Sequence, residues 1–69
     1  MTAEFNFLMS FKEGEELSEF WLIAKFGEEA VKEMERKKYI RKSVNKTAFG
    51  EARFYITDNG IKARDQRNN

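Results

Sequence analysis

Neither cysteine nor histidine occurs anywhere in the 69 residues, and proline is absent as well. Without cysteine, no disulfide and no thiolate metal site can stabilise so small a chain. Without histidine, the commonest metal ligand and the commonest general base are both missing. The lack of proline suits short regular elements joined by little loop. Glycine is scarce too, with four scattered residues and no phosphate-cradling glycine loop. Long apolar runs are missing: the longest, Phe20 to Ala24, is far too short to span a bilayer, so no membrane partner is expected. Met1-Thr2-Ala3-Glu4 has neither a basic n-region nor a cleavage site, which predicts a soluble cytoplasmic protein.

These absences leave little room for catalysis. Ser10, Ser18 and Ser43 have no histidine to activate them. Glu13, Glu15, Glu16 and Glu19 read as the solvated start of a helix rather than a carboxylate site. Nothing is spaced for an oxygen-ligand metal site. The expectation is a protein that is not an enzyme and uses no cofactor and no metal.

The length permits one domain, residues 1–69, with a thin core that a partner subunit would help to cover. Charge is almost balanced at +1 but unevenly placed. Residues 1–29 hold two lysines against seven glutamates, a net −5, whereas residues 30–69 hold eleven cations against five acids, a net +6. A basic half of this kind either meets a polyanion or is a solvated surface with uneven colouring.

Residues 3–11 alternate Phe5, Phe7, Met9 and Phe11 with Asn6, Leu8 and Ser10, which reads as a strand. A helix capped by Thr2, with Phe5, Leu8 and Met9 on one face, is the rival. Residues 15–26 read as a helix whose stripe is Leu17, Phe20, Trp21 and Ala24; Leu22 and Phe26 point elsewhere, so the helix must be sandwiched. Trp21, Phe20 and Phe26 are most simply core. After Gly27, residues 28–38 form a second helix with a narrow apolar face of Ala30, Val31 and Met34. Glu28–Lys32 and Glu33–Lys37 support it as spaced pairs.

A β-hairpin follows, with strands over 39–46 and 52–57 and a turn at Thr47 to Glu51. Ile40 and Val44 are expected to face Phe54 and Ile56. Lys42 falls on the same apolar side, which predicts a fray or bulge there. Thr57 then offers its hydroxyl as an N-cap and Asp58 sits where a helix dipole favours an acid. A short C-terminal helix carrying Ile61 and Arg64 therefore fits better than an Asn-Gly hairpin turn. Residues 65–69 are expected to fray.

Two segments resemble motifs of winged helix-turn-helix proteins, the MarR-type regulators in particular. "MERKKYI", Met34 to Ile40, is similar in register to the Leu-Glu-x-Lys-Gly-Leu-Ile that ends their recognition helix, with Lys38 in place of glycine and Tyr39 in place of leucine. "ITDNG", Ile56 to Gly60, is similar to the Leu-Thr-x-x-Gly that closes their wing. The resemblance spans residues 28–64, about half the chain, and lacks the family's dimerisation helices. It implies an α+β fold: a small winged helix-turn-helix with a β-hairpin wing and a short C-terminal helix, the latter replacing the missing first helix.

The resemblance further implies double-stranded DNA as partner, with the second helix in the major groove and the wing on the phosphate backbone. Glu29, Lys32, Glu33, Arg36 and Lys37 would then face the groove; Glu28 and Glu29 are poorly placed at the leading end, but Lys32 and Arg36 would reach base edges or phosphates. Lys38, Arg41, Lys42, Lys46 and Arg53 form a phosphate-binding strip. Tyr39 and Tyr55 flank Arg41 and Arg53 as stacking candidates or as ordinary cross-strand neighbours. Transcriptional regulation or an architectural role is the leading expectation.

The alternative is a winged-helix module that binds another protein, of the sort found among small phage or mobile-element proteins. Phe5, Phe7, Phe11, Leu22, Phe26 and Phe49 are its interface candidates. The phenylalanines near the N-terminus also suggest a homodimer in which residues 4–11 pair as edge strands. Phe49, beside Gly50 at the turn, either folds back on the hairpin, the commoner case, or contacts a partner.

Overall fold

A computed structural model describes residues 3–12 and 14–66. Thr2, Glu13 and the tail from residue 67 lie outside the described residues, and with them the expected Thr2 cap, part of the acidic run and the end of the expected fray. The elements are α1 (Ala3–Met9), β1 (Glu16–Ser18), α2 (Glu19–Phe26), α3 (Glu28–Arg36), β2 (Ile40–Lys46), β3 (Ala52–Ile56) and α4 (Asp58–Gln66). The strands form one antiparallel sheet in the order β1-β3-β2. The chain is thus a small α+β domain, as expected, with three strands as the sequence reading gave, but the first strand comes from residues 16–18 rather than 3–11, and there is one more helix.

Residues 3–9 are helical, which corrects the strand reading. Helical spacing puts Phe7, Leu8 and Phe11 on one stripe, and all three are buried. Period-two alternation would have turned Leu8 outward and Met9 inward, and the observed burial is the reverse. The rival helix had also chosen a different face. With a helix here, the expected pairing of residues 4–11 as edge strands of a homodimer loses its strand.

The helix expected over 15–26 divides in two. Leu17 lies opposite Phe54 in the ladder between β1 and β3. Ser18 ends the strand in extended backbone (φ −69°, ψ 144°), and its hydroxyl accepts a 3.0 Å bond from the Trp21 amide. It therefore closes β1 and caps α2 at once. The stripe shifts accordingly: Leu22 is fully buried, Ile23 and Phe26 pack on the core, and Phe20 is 69% exposed. Trp21 is partly exposed, at 41%, its ring edge-on to Phe26 with centroids 6.4 Å apart. Phe26 itself meets Phe7 at 4.8 Å, joining α2 to α1.

Gly27 alone separates α2 from α3, as the sequence implied. Its φ of 94° lies in the region open to glycine, its amide closes α2 on Ile23 O at 2.8 Å, and its carbonyl opens α3 by accepting from Val31. Helix α3 ends at Arg36, short of the expected Lys38, and buries Val31 and Met34. Lys37 donates 2.7 Å to Glu4, which ties α3 to α1.

The hairpin forms where expected. Ile40, Phe54 and Ile56 enter the core, whereas Val44 is 96% exposed, against the expectation that it faces inward. The ladder explains this. Lys42 pairs with Phe54 but Lys46 pairs with Ala52, so β2 carries surplus residues between them and its alternation is lost. The irregularity thus falls in the stretch that Lys42 pointed to.

Strand β3 passes directly into α4, so the strand-to-helix reading of "ITDNG" holds. The Thr57 hydroxyl accepts from the Gly60 amide at 3.1 Å and lies 2.6 Å from the Lys38 carbonyl, to which it donates. The Thr57 amide donates to Tyr39 O at 2.9 Å. At the other end of α4, Arg64 donates 2.9 Å to the carbonyl of Phe11. One helix therefore fastens both the α3–β2 turn and the segment that follows α1.

Candidate nucleic-acid interface

The cations of α3 and those of the hairpin stand in different electrostatic settings. Lys32 lies 3.6 Å from Glu28, and Arg36 makes a two-point contact with Glu33. Lys37 reaches both Glu4 and, at 3.9 Å, Glu33. The Arg36 hydrogen bond holds the Glu33 carboxyl below the ordinary carboxylate range and raises Arg36 in return. Lys37 is raised, chiefly by its bond to Glu4. All three α3 candidates are thus compensated within the chain, and Glu28 and Glu29 lead the helix. Exposed pairs of this kind are worth little and can be exchanged for a phosphate, but the surface of α3 offers no net positive field.

Among the described residues, Lys38, Arg41, Lys42, Lys46 and Arg53 make no ion pair. Lys38 belongs to the α3–β2 turn, Arg41, Lys42 and Lys46 to the edge strand β2, and Arg53 to the central strand β3. Arg41 lies across from Tyr55, and Arg53 across from Ser18. The one acid braced on that strand ladder, Glu16, accepts 2.6 Å from Ser43 Oγ and 3.3 Å from Asn45 Nδ2. Hydroxyl and amide donors hold it, and among the described residues it pairs with none of the neighbouring cations.

The α3–β2 turn has a specific geometry. The Tyr39 amide donates to Met34 O at 3.0 Å and the Lys38 amide to Glu35 O at 2.9 Å, the paired closure of a Schellman motif. The residue at its left-handed position is Lys38, with φ 65°. It is the one described non-glycine residue with positive φ. Tyr39, expected on the outer sheet face, packs against the core instead.

The turn, β2 and the start of α4 enclose an open cleft of about 790 Å³. Lys38, Arg41 and Lys42 line it together with Tyr55, Glu35, and Thr57 to Asn59. The sequence singled out the three lysine and arginine positions and Tyr55. It missed Asn59 as a neighbour, because only the seating of α4 on the turn brings it there; the Thr-x-x-Gly spacing was the available signal.

The apolar interface candidates separate. Phe7, Phe11 and Leu22 are core side chains and are closed to any partner. Phe5 and Phe26 are half-buried. Phe49 is 90% exposed and does not fold back on the hairpin. Its loop is well braced: Thr47 Oγ1 accepts from Phe49 and Glu51 amides at 3.2 and 3.0 Å, and Gly50, at φ 80°, donates to Thr47 O.

No helix among the described residues is long and apolar enough to cross a membrane, and they contain no group of acids placed to hold a metal ion. No protein-family model matches the chain, and neither a curated protein nor a solved structure matches it.

Proposed function

We propose that the chain is a small winged helix-turn-helix protein that binds double-stranded DNA and acts by binding rather than catalysis, as a regulator or architectural factor. The observation that carries this reading is the set of five cations on the hairpin and the α3–β2 turn that make no ion pair among the described residues, continuous with a concave cleft. The helix–strand–helix–helix–hairpin order and the packing of "ITDNG" on the end of "MERKKYI" support it. In this reading the wing leads. Its cations take the phosphates, while α3 contributes shape and gains contacts only by trading its internal ion pairs.

The test is fluorescence anisotropy of a labelled random-sequence duplex at two salt concentrations. Affinity should fall steeply with salt, with a log–log slope of about −0.9 per phosphate neutralised. Arg41→Glu and Lys46→Glu should each weaken all sequences alike. Absent or salt-insensitive binding overturns the reading.

A protein-binding module is the second reading, and the exposed Val44 and Phe49 on one braced hairpin favour it. Phe49→Ser would then abolish capture of a defined partner while leaving duplex affinity unchanged.

A further inference from the structure

We infer that the cleft beneath the α3–β2 turn is a dedicated seat for one backbone phosphate of the duplex, with Lys38 as its principal ligand. The inference rests on the DNA-binding reading above and assigns it a specific site. Lys38 occupies a left-handed backbone position, φ 65°, at the C′ site of a Schellman closure. Glycine is the favoured residue there, and a side chain at such a position destabilises the fold relative to glycine. A lysine held in that conformation is a cation fixed at its base, because both flanking amides and its own carbonyl are bonded. The Lys38 amide is held by Glu35, the Tyr39 amide by Met34, and the Lys38 carbonyl by the Thr57 hydroxyl.

The surroundings fit a phosphodiester. Arg41 and Lys42 line the same cleft and, like Lys38, have no ion-pair partner among the described residues. Arg41 offers a planar fork that matches two phosphate oxygens, and the lysines add point charges. The first turn of α4, starting at Asp58, borders the cleft and contributes the positive end of its dipole. Glu35 and Asp58 also line the cleft. They leave it with a surplus of one positive charge, which suits a singly charged diester better than a dianionic phosphate monoester.

Lys38→Gly separates the two roles of the residue, since it relieves the backbone and deletes the charge. It should melt higher than the wild type by about 2–8 °C. On the same random duplex it should bind roughly 5- to 10-fold more weakly near 0.1 M salt, with a salt slope shallower by about 0.9. Lys38→Ala should bind as weakly without the gain in Tm, and Lys38→Arg should retain affinity. A more stable Lys38→Gly that binds with wild-type affinity and slope overturns the phosphate seat and leaves the DNA reading standing, provided Arg41→Glu and Lys46→Glu still weaken binding. A wild-type chain that fails to bind duplex at all overturns both.

Discussion

Gly60 stands directly against the backbone of Tyr39. A β-carbon at position 60 would overlap the Tyr39 carbonyl oxygen and lie 2.7 Å from Ile56 Cγ1. This contact is where the first turn of α4 meets the α3–β2 turn, and it explains why a glycine sits inside a helix that would otherwise disfavour it. Helix propensity alone would make Gly60→Ala stabilising by about 1 kcal/mol. The overlap is with backbone, which cannot swing aside, so the substitution should instead cost about 1–3 kcal/mol. Urea unfolding should show a lower midpoint at unchanged m. A midpoint equal to or above the wild type would mean that α4 does not seat on Tyr39.

Thr57 joins the same two segments through its hydroxyl. Valine preserves its shape but removes the N-cap to Gly60 and the bond to Lys38 O. Thr57→Val should cost about 1–2 kcal/mol, and Thr57→Ser should recover most of that. Chemical denaturation of the pair would separate loss of the hydroxyl from loss of packing.

The exposed and buried aliphatic residues make opposite forecasts. Leu22, at 0% exposure, anchors α2, and Leu22→Ala should cost about 2–5 kcal/mol. Val44→Thr, on the irregular stretch of β2, should change stability by less than about 0.5 kcal/mol. Thermal melts of the two variants test the register directly, because an inward Val44 would make both costly.

Much of the fold can be read from the chain, and the misreadings share a cause. The hairpin, its turn, the joint at Gly27 and the cap at Thr57 are all specified by local chemistry within a few residues. Leu17 and Phe7 are different. Whether Leu17 belongs to a strand depends on Phe54, which is distant in sequence. The apolar residues of 5–11 satisfy a strand pattern and a helix pattern equally, until Phe26 supplies the surface that Phe7 packs on. The basic strip was legible as composition. Its contrast with α3 was legible only in part: the pairs of Lys32 with Glu28 and of Lys37 with Glu33 lie at helical spacing, but the bond between Glu4 and Lys37 joins residues far apart in sequence.

The Glu33–Arg36 contact gives a pH signature. Glu33 has its folded pKa below the unfolded value, so its contribution is present above the unfolded pKa, about 4.3, and is lost as pH falls through the folded one. Lys37 runs the other way. Its raised pKa contributes below the unfolded value near 10.4 and is lost as pH rises through the folded one. Carbon-detected NMR titration should place the Glu33 midpoint below that of a model glutamate. Arg36→Ala should move it back up, and a midpoint unmoved by that change would deny the contact.

The bond from Arg64 to the carbonyl of Phe11 spans 53 positions. Its consequence concerns timing during synthesis. Helix α1 and the segment after it precede α4 in synthesis, yet the Phe11 carbonyl is answered by a side chain in the last turn of α4. Helix α1 is also too short to persist alone in water. Phe7 finds Phe26 early in synthesis, but the Phe11 carbonyl has its partner only once α4 has been made, so the junction after α1 is a late contact to close.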